Sequence, residues 1–464
     1  MRKRTINRVT FLNILSTILL QGISFISAPI ISRLLGAENY GITSVYITWV
    51  SVVNVVCCAQ THSTIPMAKV KFADSEQEGY QSSILGLSIT TFAVCSVLFL
   101  FFSKQLASML KVHRIMLLFI AAHGFGSYCV DFLNTKYINN YDADKNVILS
   151  VSVSLAIFLC SIVLINLFPR EINYWGRIIG MSSVYTVFGI GISICLLIRG
   201  KLFYHDVYWK FALSLSVPII VHALSGQVLS QSDKVMLQQM NGPSVAGVYS
   251  LAVAFGGILL TIWGALNNAW TPFMYGYLKE NQTDQIEKHG KNYLELFSVL
   301  SVGFVLLAPE VFQIFASPEY WGGVDIIPLF VVSAFFRFLY AFPAGYEFFL
   351  LKTKAVAFGT LMSGIGNIGM NYLLIPVWGV KGAALATMIS NILLFLFHHV
   401  CAIHICKDLE YSFYFRKLLP YIAVVIITAA SVMLHTGSWY IRWLVGAMIG
   451  CWELWRIIKR KSIF

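Results

Sequence analysis

Arg337 sits deep within an apolar run. Placing an arginine at the centre of a membrane helix costs about 2.5–3.5 kcal/mol, so something must offset it. On a helix, Ser333, Arg337, Tyr340, Ala344 and Glu347 fall along one stripe, with Pro343 as a kink-forming neighbour. Two arrangements answer the cost: a structural ion pair, or a watery cavity that binds an anion. The planar donor fork of arginine suits phosphate. Asn13, Thr17, Gln21 and Ser24 share another helical stripe, and Gln227, Ser230 and Lys234 a third. Such polar groups either line a cavity or hydrogen-bond neighbouring helices. Gln21, Ser24, Gln227, Ser230, Lys234 and Arg337 are thus the candidate cavity residues. Asp131, Asp233 and Glu347 are the candidates for a gate or for ion coupling. Asp233 beside Lys234 also reads as an interfacial helix-end pair. Glu295 and Glu310, near opposite ends of one run, read as side chains that snorkel, and the adjacent His398 and His399 as interfacial.

Catalytic chemistry finds no support. The chain has no P-loop and no spacing of metal ligands or of a nucleophile with its base. No cofactor and no catalytic role are expected.

The elements that must position these residues are membrane helices. Of the 464 residues, 58% are hydrophobic and only 12% charged, which excludes an ordinary soluble domain. About fourteen runs are each long enough to span a bilayer, and they are continuous where barrel strands would alternate. The net charge of +12 does not point to nucleic acid, because the basic residues sit in short clusters between the runs. About 23 Lys and Arg fall on the side of the termini against about 9 on the other, which predicts cytoplasmic termini. The basic head before the first run invites comparison with a signal peptide, but the run is long for one, so it is expected to remain as the first helix. The nine cysteines include no CxxC pair and read as small hydrophobes.

The chain also repeats itself. Gln21, Ser24, Gly36, Gly41, Ser44 and Pro66 recur as Gln227, Ser230, Gly242, Gly247, Ser250 and Pro272, all 206 residues later. The same offset carries Asp131 onto Arg337. The expected architecture is all-α: a lobe of six helices (1–206), a second related lobe (207–410) and a C-terminal helix pair (411–464). An acid and a base at equivalent positions would be able to pair as a gate.

The residues also resemble a family. Arg33-Leu-Leu-Gly-Ala-Glu-Asn-Tyr-Gly41 is similar to the loop after the first helix in oligosaccharide-lipid flippases of the polysaccharide transporter family. Asp233-Lys234-Val-Met-Leu with Val-Ala-Gly-Val-Tyr-Ser250 resembles its seventh-helix exit, and Trp270-Thr-Pro-Phe273 its eighth-helix end. Asn371-Tyr-Leu-Leu-Ile-Pro376 and Trp378-Gly-Val-Lys-Gly-Ala-Ala-Leu-Ala-Thr387 resemble its turn between helices eleven and twelve. The superfamily also holds multidrug exporters and the peptidoglycan-precursor flippase. The resemblance implies a bacterial inner-membrane protein that flips an undecaprenyl-diphosphate-linked oligosaccharide to the outer leaflet by alternating access, for a polymer such as O-antigen or capsule. It implies H+ or Na+ coupling in some members, and work alongside a polysaccharide polymerase and chain-length machinery. A multidrug or small-solute antiporter is the nearest alternative. A membrane polymerase is another, although the chain lacks the long outer loop such enzymes carry.

Overall fold

The computed structural model describes residues 2–406, 411–434 and 437–460, with side chains from 22 onward except 353 and 460. Among the described residues every regular element is a helix. Hydrocarbon offers no partners to backbone amides, so each span must close its hydrogen bonds internally. Among the described residues, eleven helices are long and apolar enough to cross a bilayer. Two of them each join two spans across a glycine with non-helical geometry. In α1 (Arg2–Cys57) it is Gly36 at φ 73°, and in α12 (Thr353–Ile405) it is Gly379 at φ 52°. A Cβ would strain either position.

The chain divides into two compact units, Met1–Gln231 and Ser232–Phe464. The division falls inside α8 (Asp206–Asn241), later in the chain than the expected 206/207 boundary. The first unit holds α1, α3 (Gln77–Phe101), α5 (Met116–Asn139), α6 (Ala143–Leu167) and α7 (Tyr174–Gly200). It also holds the short α2 (Ile65–Lys71) and α4 (Ser103–Leu110). There α5 and α7 cross closely, because a Cβ on Gly189 would come within 2.7 Å of the Gly126 Cα. The loop motif around Gly36 is clamped by amides. Asn39 donates to the Arg170 carbonyl at 2.7 Å and to Asn173 at 2.9 Å, and Asn173 donates to the Leu34 carbonyl at 2.9 Å.

The second unit repeats the pattern with α9 (Pro243–Lys279), α10 (Thr283–Phe315), α11 (Ile327–Phe349) and α12. Gly242, at φ 93° and ψ 168°, reproduces the break at Gly36, at φ 73° and ψ 166°, as the 206-residue offset predicts. The offset is not uniform, however. Ile327 follows Met116 by 211 residues and Phe349 follows Asn139 by 210. A longer α10–α11 loop, which contains a 3-10 segment over Pro318–Ile326, shifts this helix by about one turn. Asp131 therefore corresponds to Ala341, and Arg337 to Ser127. Their equivalence under a single offset is corrected by loop length.

The C-terminal pair, α13 (Phe415–Leu434) and α14 (Trp439–Arg460), belongs to the second unit. Glu295 and Glu310 on α10 do not snorkel. Glu310 pairs with Arg442 and accepts from Trp443 Nε1 at 3.1 Å, and Glu295 pairs with Arg456, which also holds Glu453 at 3.2 Å. The early rung of α14 meets the late rung of α10, so the two helices run antiparallel. These pairs explain how a helix too charged to count among the apolar spans packs beside one.

Removing one partner of such a pair leaves an uncompensated charge and should cost about 3 kcal/mol. Arg442→Ala and Glu310→Ala should each lower the melting temperature of the purified protein. The swapped double variant Arg442→Glu/Glu310→Arg should recover part of the loss. A double variant as unstable as the sum of the singles would mean that other contacts hold α14.

Candidate functional site

Within the second unit, α9 and α11 leave a groove of about 500 Å³ with polar side chains set among apolar ones. Trp263, Asn267, Asn268, Thr271, Tyr275 and Tyr340 line it, above a floor of Ala341, Ala344 and Gly345. Pro272 carries no amide hydrogen, so the Asn268 carbonyl one turn earlier loses its helical donor at the lining. One turn before Ala341, on the same side of α11, lies Arg337. It is half-buried and makes no hydrogen bond or ion pair among the described residues. The ion-pair answer to its insertion cost is thus not the one the second unit uses. Amides and phenols can both donate and accept, and aromatic faces are amphipathic surfaces. The groove is therefore equipped for hydroxyl-rich groups, with a cation one turn away. Asn267, Asn268, Thr271 and Tyr275 escaped the reading of the sequence. Two adjacent asparagines in an apolar run, followed by proline, were the available signal.

The stripe expected on α11 is split by the fold. Arg337 and Tyr340 stay partly accessible, whereas Ser333 and Glu347 turn into the unit. Ser333 accepts from Asn391 at 2.9 Å. Glu347 and His398 are both 0% exposed, with His398 Nδ1 2.9 and 2.8 Å from the two carboxylate oxygens. Gly359 leaves room for this imidazole, since a Cβ there would lie 2.5 Å from Nε2. His399 turns the other way, to the Tyr411 hydroxyl at 3.1 Å. The two histidines are thus buried, not interfacial, because each has a polar partner waiting inside the unit. Burial pushes the Tyr411 phenol, in the loop after α12, well above its usual range, so it stays a neutral donor.

Asp233 is likewise not at an interface. It is 2% exposed and does not pair with Lys234. Its carboxylate accepts from the Tyr249 hydroxyl at 2.5 Å and from Asn371 Nδ2 and Thr387 Oγ1. Asn367 extends the network. It accepts from Asn371 at 3.0 Å and from Ser232 at 3.0 Å, and donates to Thr387 at 3.4 Å. The break at Gly379 folds the two halves of α12 against each other, which brings Asn371 and Thr387 together. Gly382 packs so tightly there that a Cβ would sit 2.2 Å from the Leu374 carbonyl oxygen. Four separate sequence motifs thus each supply one residue to a single buried cluster. Asn371 Oδ1 remains without a partner inside it.

The first unit has its own acid. Asp131 is exposed and accepts from Asn54 Nδ2 at 3.0 Å, and that amide also reaches Ser127 at 3.0 Å. Arg337 belongs to the other unit. Ser24 is exposed, Ser230 bonds to its own helix at the Gly226 carbonyl, and Gln227 keeps a buried Oε1 without a partner. Lys234 is half-buried. The Gln21 side chain lies outside the described residues. Where α1 ends, positive φ at Ala59 and Gln60 breaks the chain. Beside the break, Thr61, Ser88 and Tyr128 close a hydroxyl triangle with sides of 2.6–2.8 Å that also takes up the Cys58 carbonyl.

Comparison with known proteins places this architecture. A lipid II flippase MurJ in an inward closed conformation superposes with a TM-score of 0.71 over 98% of this chain and 99% of that one, at 14% identity. An inward-facing multidrug resistance MATE family transporter of the MOP superfamily gives 0.63 over 83% of this chain and 96% of that one, at 12% identity. These likenesses establish a shared fold. Among sequences, an uncharacterized membrane protein of Haemophilus influenzae is 26% identical over 164 residues, 33% of this chain and 41% of its own length. One of Methanocaldococcus jannaschii is 22% identical over 262 residues, 52% of this chain and 60% of its own length. The chain thus covers about half the length of these relatives. The model of the polysaccharide biosynthesis protein family matches residues 6–277, more than half of the chain, and the chain belongs to that family.

Proposed function

We propose that this multi-pass membrane protein is a flippase for a lipid-linked oligosaccharide, moving the head group across the bilayer by alternating access. The observation that carries the reading is Arg337, half-buried and without a hydrogen bond or ion pair among the described residues, one turn from the groove of Asn267, Asn268, Thr271, Tyr275 and Tyr340. A diphosphate and its sugars cannot cross about 30 Å of hydrocarbon unaided. The polyprenyl tail stays in lipid, so the protein need only shelter the head. Arg337 would take the diphosphate through its donor fork, and the amides and phenols the sugar hydroxyls. The substrate class is an undecaprenyl-diphosphate-linked repeat, and the membrane a bacterial cytoplasmic one with both termini inside.

Asp233 is the proposed seat of a coupling cation, a proton or Na+. Its carboxylate, the unpartnered Asn371 Oδ1 and the Thr387 hydroxyl form a hard-oxygen donor set inside the second unit. A second reading, a small-solute antiporter, draws on the exposed carboxylate of Asp131, which suits a cationic substrate better than an anionic one.

Deleting the gene should abolish surface polysaccharide and leave the lipid-linked repeat on the cytoplasmic leaflet. Normal polymer in a strain with no second flippase would favour the antiporter. Because Arg337 makes no such bond in the fold, Arg337→Ala should keep the melting temperature while transport falls about a hundredfold. Arg337→Lys should keep the charge, lose the fork and retain partial activity. Full transport by the alanine variant at normal expression would remove Arg337 from the mechanism.

Asp233→Asn tests the coupling. Transport by the wild type should vary with Na+ or with pH, and the variant should be slow and insensitive to both. An unchanged ion dependence in the variant would place the coupling elsewhere.

A further inference from the structure

Just past Asp131 along α5, the C-terminal halves of α5 and α7 enclose a second crevice, of about 370 Å³. Lys136 and Arg199 stand at its end, with Tyr137 beside them, and Val187, Ile192 and Cys195 form its apolar wall. Lys136 is three residues from the end of α5 and Arg199 one from the end of α7, which sets both cations at head-group depth.

We propose that this crevice binds the phosphate head group of an anionic glycerophospholipid, with Lys136 and Arg199 as its cationic partners and the wall of α7 as the seat of an acyl chain.

Lys136 carries the argument. A lysine near a helix end ordinarily runs its ammonium out to water. Lys136 is only 8% exposed, lines the crevice, and makes no hydrogen bond or ion pair among the described residues. Its basic neighbours are satisfied. Lys69 donates to the Asn139 carbonyl at 2.5 Å, and Lys145 pairs with Asp142 at 3.0 Å. Glu78 is the nearby acid on α3, but it is exposed and not within ion-pair distance. Arg199 is exposed and makes no such bond either. Two cations thus converge on one opening, and the two acids nearest Lys136, Glu78 and Asp142, form an ion pair with neither of them.

The surroundings decide what kind of anion fits. On α7, Val187, Ile190, Ile194 and Ile198 are 52–69% exposed and form a wholly apolar stripe. That flank faces lipid, so the ligand arrives from the bilayer. A glycan head would find no amide on this wall, whereas an acyl chain finds a continuous aliphatic surface. The basic residues assign this end to the cytoplasmic leaflet, where anionic lipids and basic pockets between helices meet. This site is independent of the transport reading.

Native mass spectrometry of the full chain released from phosphatidylcholine nanodiscs containing phosphatidylglycerol tests the proposal. Wild type should retain phosphatidylglycerol, and Lys136→Gln/Arg199→Gln should hold it about thirtyfold more weakly. Lys145→Gln should match wild type. Gly191→Trp keeps both cations and should also lose the lipid. A Cβ at Gly191 meets no neighbour, so the indole can fill the crevice without disturbing the fold. Inorganic phosphate should not displace the lipid, and displacement would mean a free-anion site instead. Retention that survives both variants overturns the proposal. So does binding of undecaprenyl phosphate, but not phosphatidylglycerol, that depends on Lys136 and Arg199, since it would make the crevice a substrate site.

Discussion

A carboxylate enclosed by hydrocarbon must be surrounded by donors, and Asp233 shows how far that requirement organises the second unit. Its three partners come from α9 and from both halves of α12, so one buried charge specifies how three further helical segments meet α8. Helices in lipid gain little from burying apolar faces, since the tails are as apolar as the side chains. Hydrogen bonds and close packing of small residues must then define the register. The Asp233 network supplies the first of these, and Gly382 against the Leu374 carbonyl the second. The Glu347–His398 pair extends the same logic to the other end of α11.

In the first unit hydroxyls and amides play this part. Tyr46 bonds His123 at 3.0 Å, and Asn39 with Asn173 ties the loop after the Gly36 break to the start of α7. The Thr61–Ser88–Tyr128 triangle takes up the backbone freed where α1 ends. Both units therefore place some of their polar side chains where a helix is interrupted. That is where hydrocarbon would otherwise face unsatisfied carbonyls.

Two cations make no hydrogen bond or ion pair among the described residues and each has a cavity beside it. Arg337 beside the α9–α11 groove and Lys136 at the α5–α7 crevice both carry charge with no such protein partner described, and in both cases a cavity opens alongside. Polar side chains at one and aliphatic walls at the other distinguish the proposed head-group site from the proposed lipid site.

Much of this was present in the order of the residues. Apolar run length dictated helices, because no other structure satisfies a backbone in lipid. Repetition of Gly36 as Gly242 announced two related halves, since both positions need a positive φ that other residues resist. An arginine in an apolar run marked itself as a residue whose insertion cost needs an offset, because that cost follows from the residue type and its apolar flanks. Tertiary structure alone decided the rest. Loop length moved α11 one turn out of the simple repeat, so Arg337 corresponds to Ser127 and not to Asp131. A residue's stripe did not reveal which neighbour covers it, so Glu347 and Arg337, on one stripe, part company between a buried histidine and an open groove. Asp233, Tyr249, Asn371 and Thr387 lie up to 154 residues apart, and only the folding back of α12 at Gly379 makes them one site.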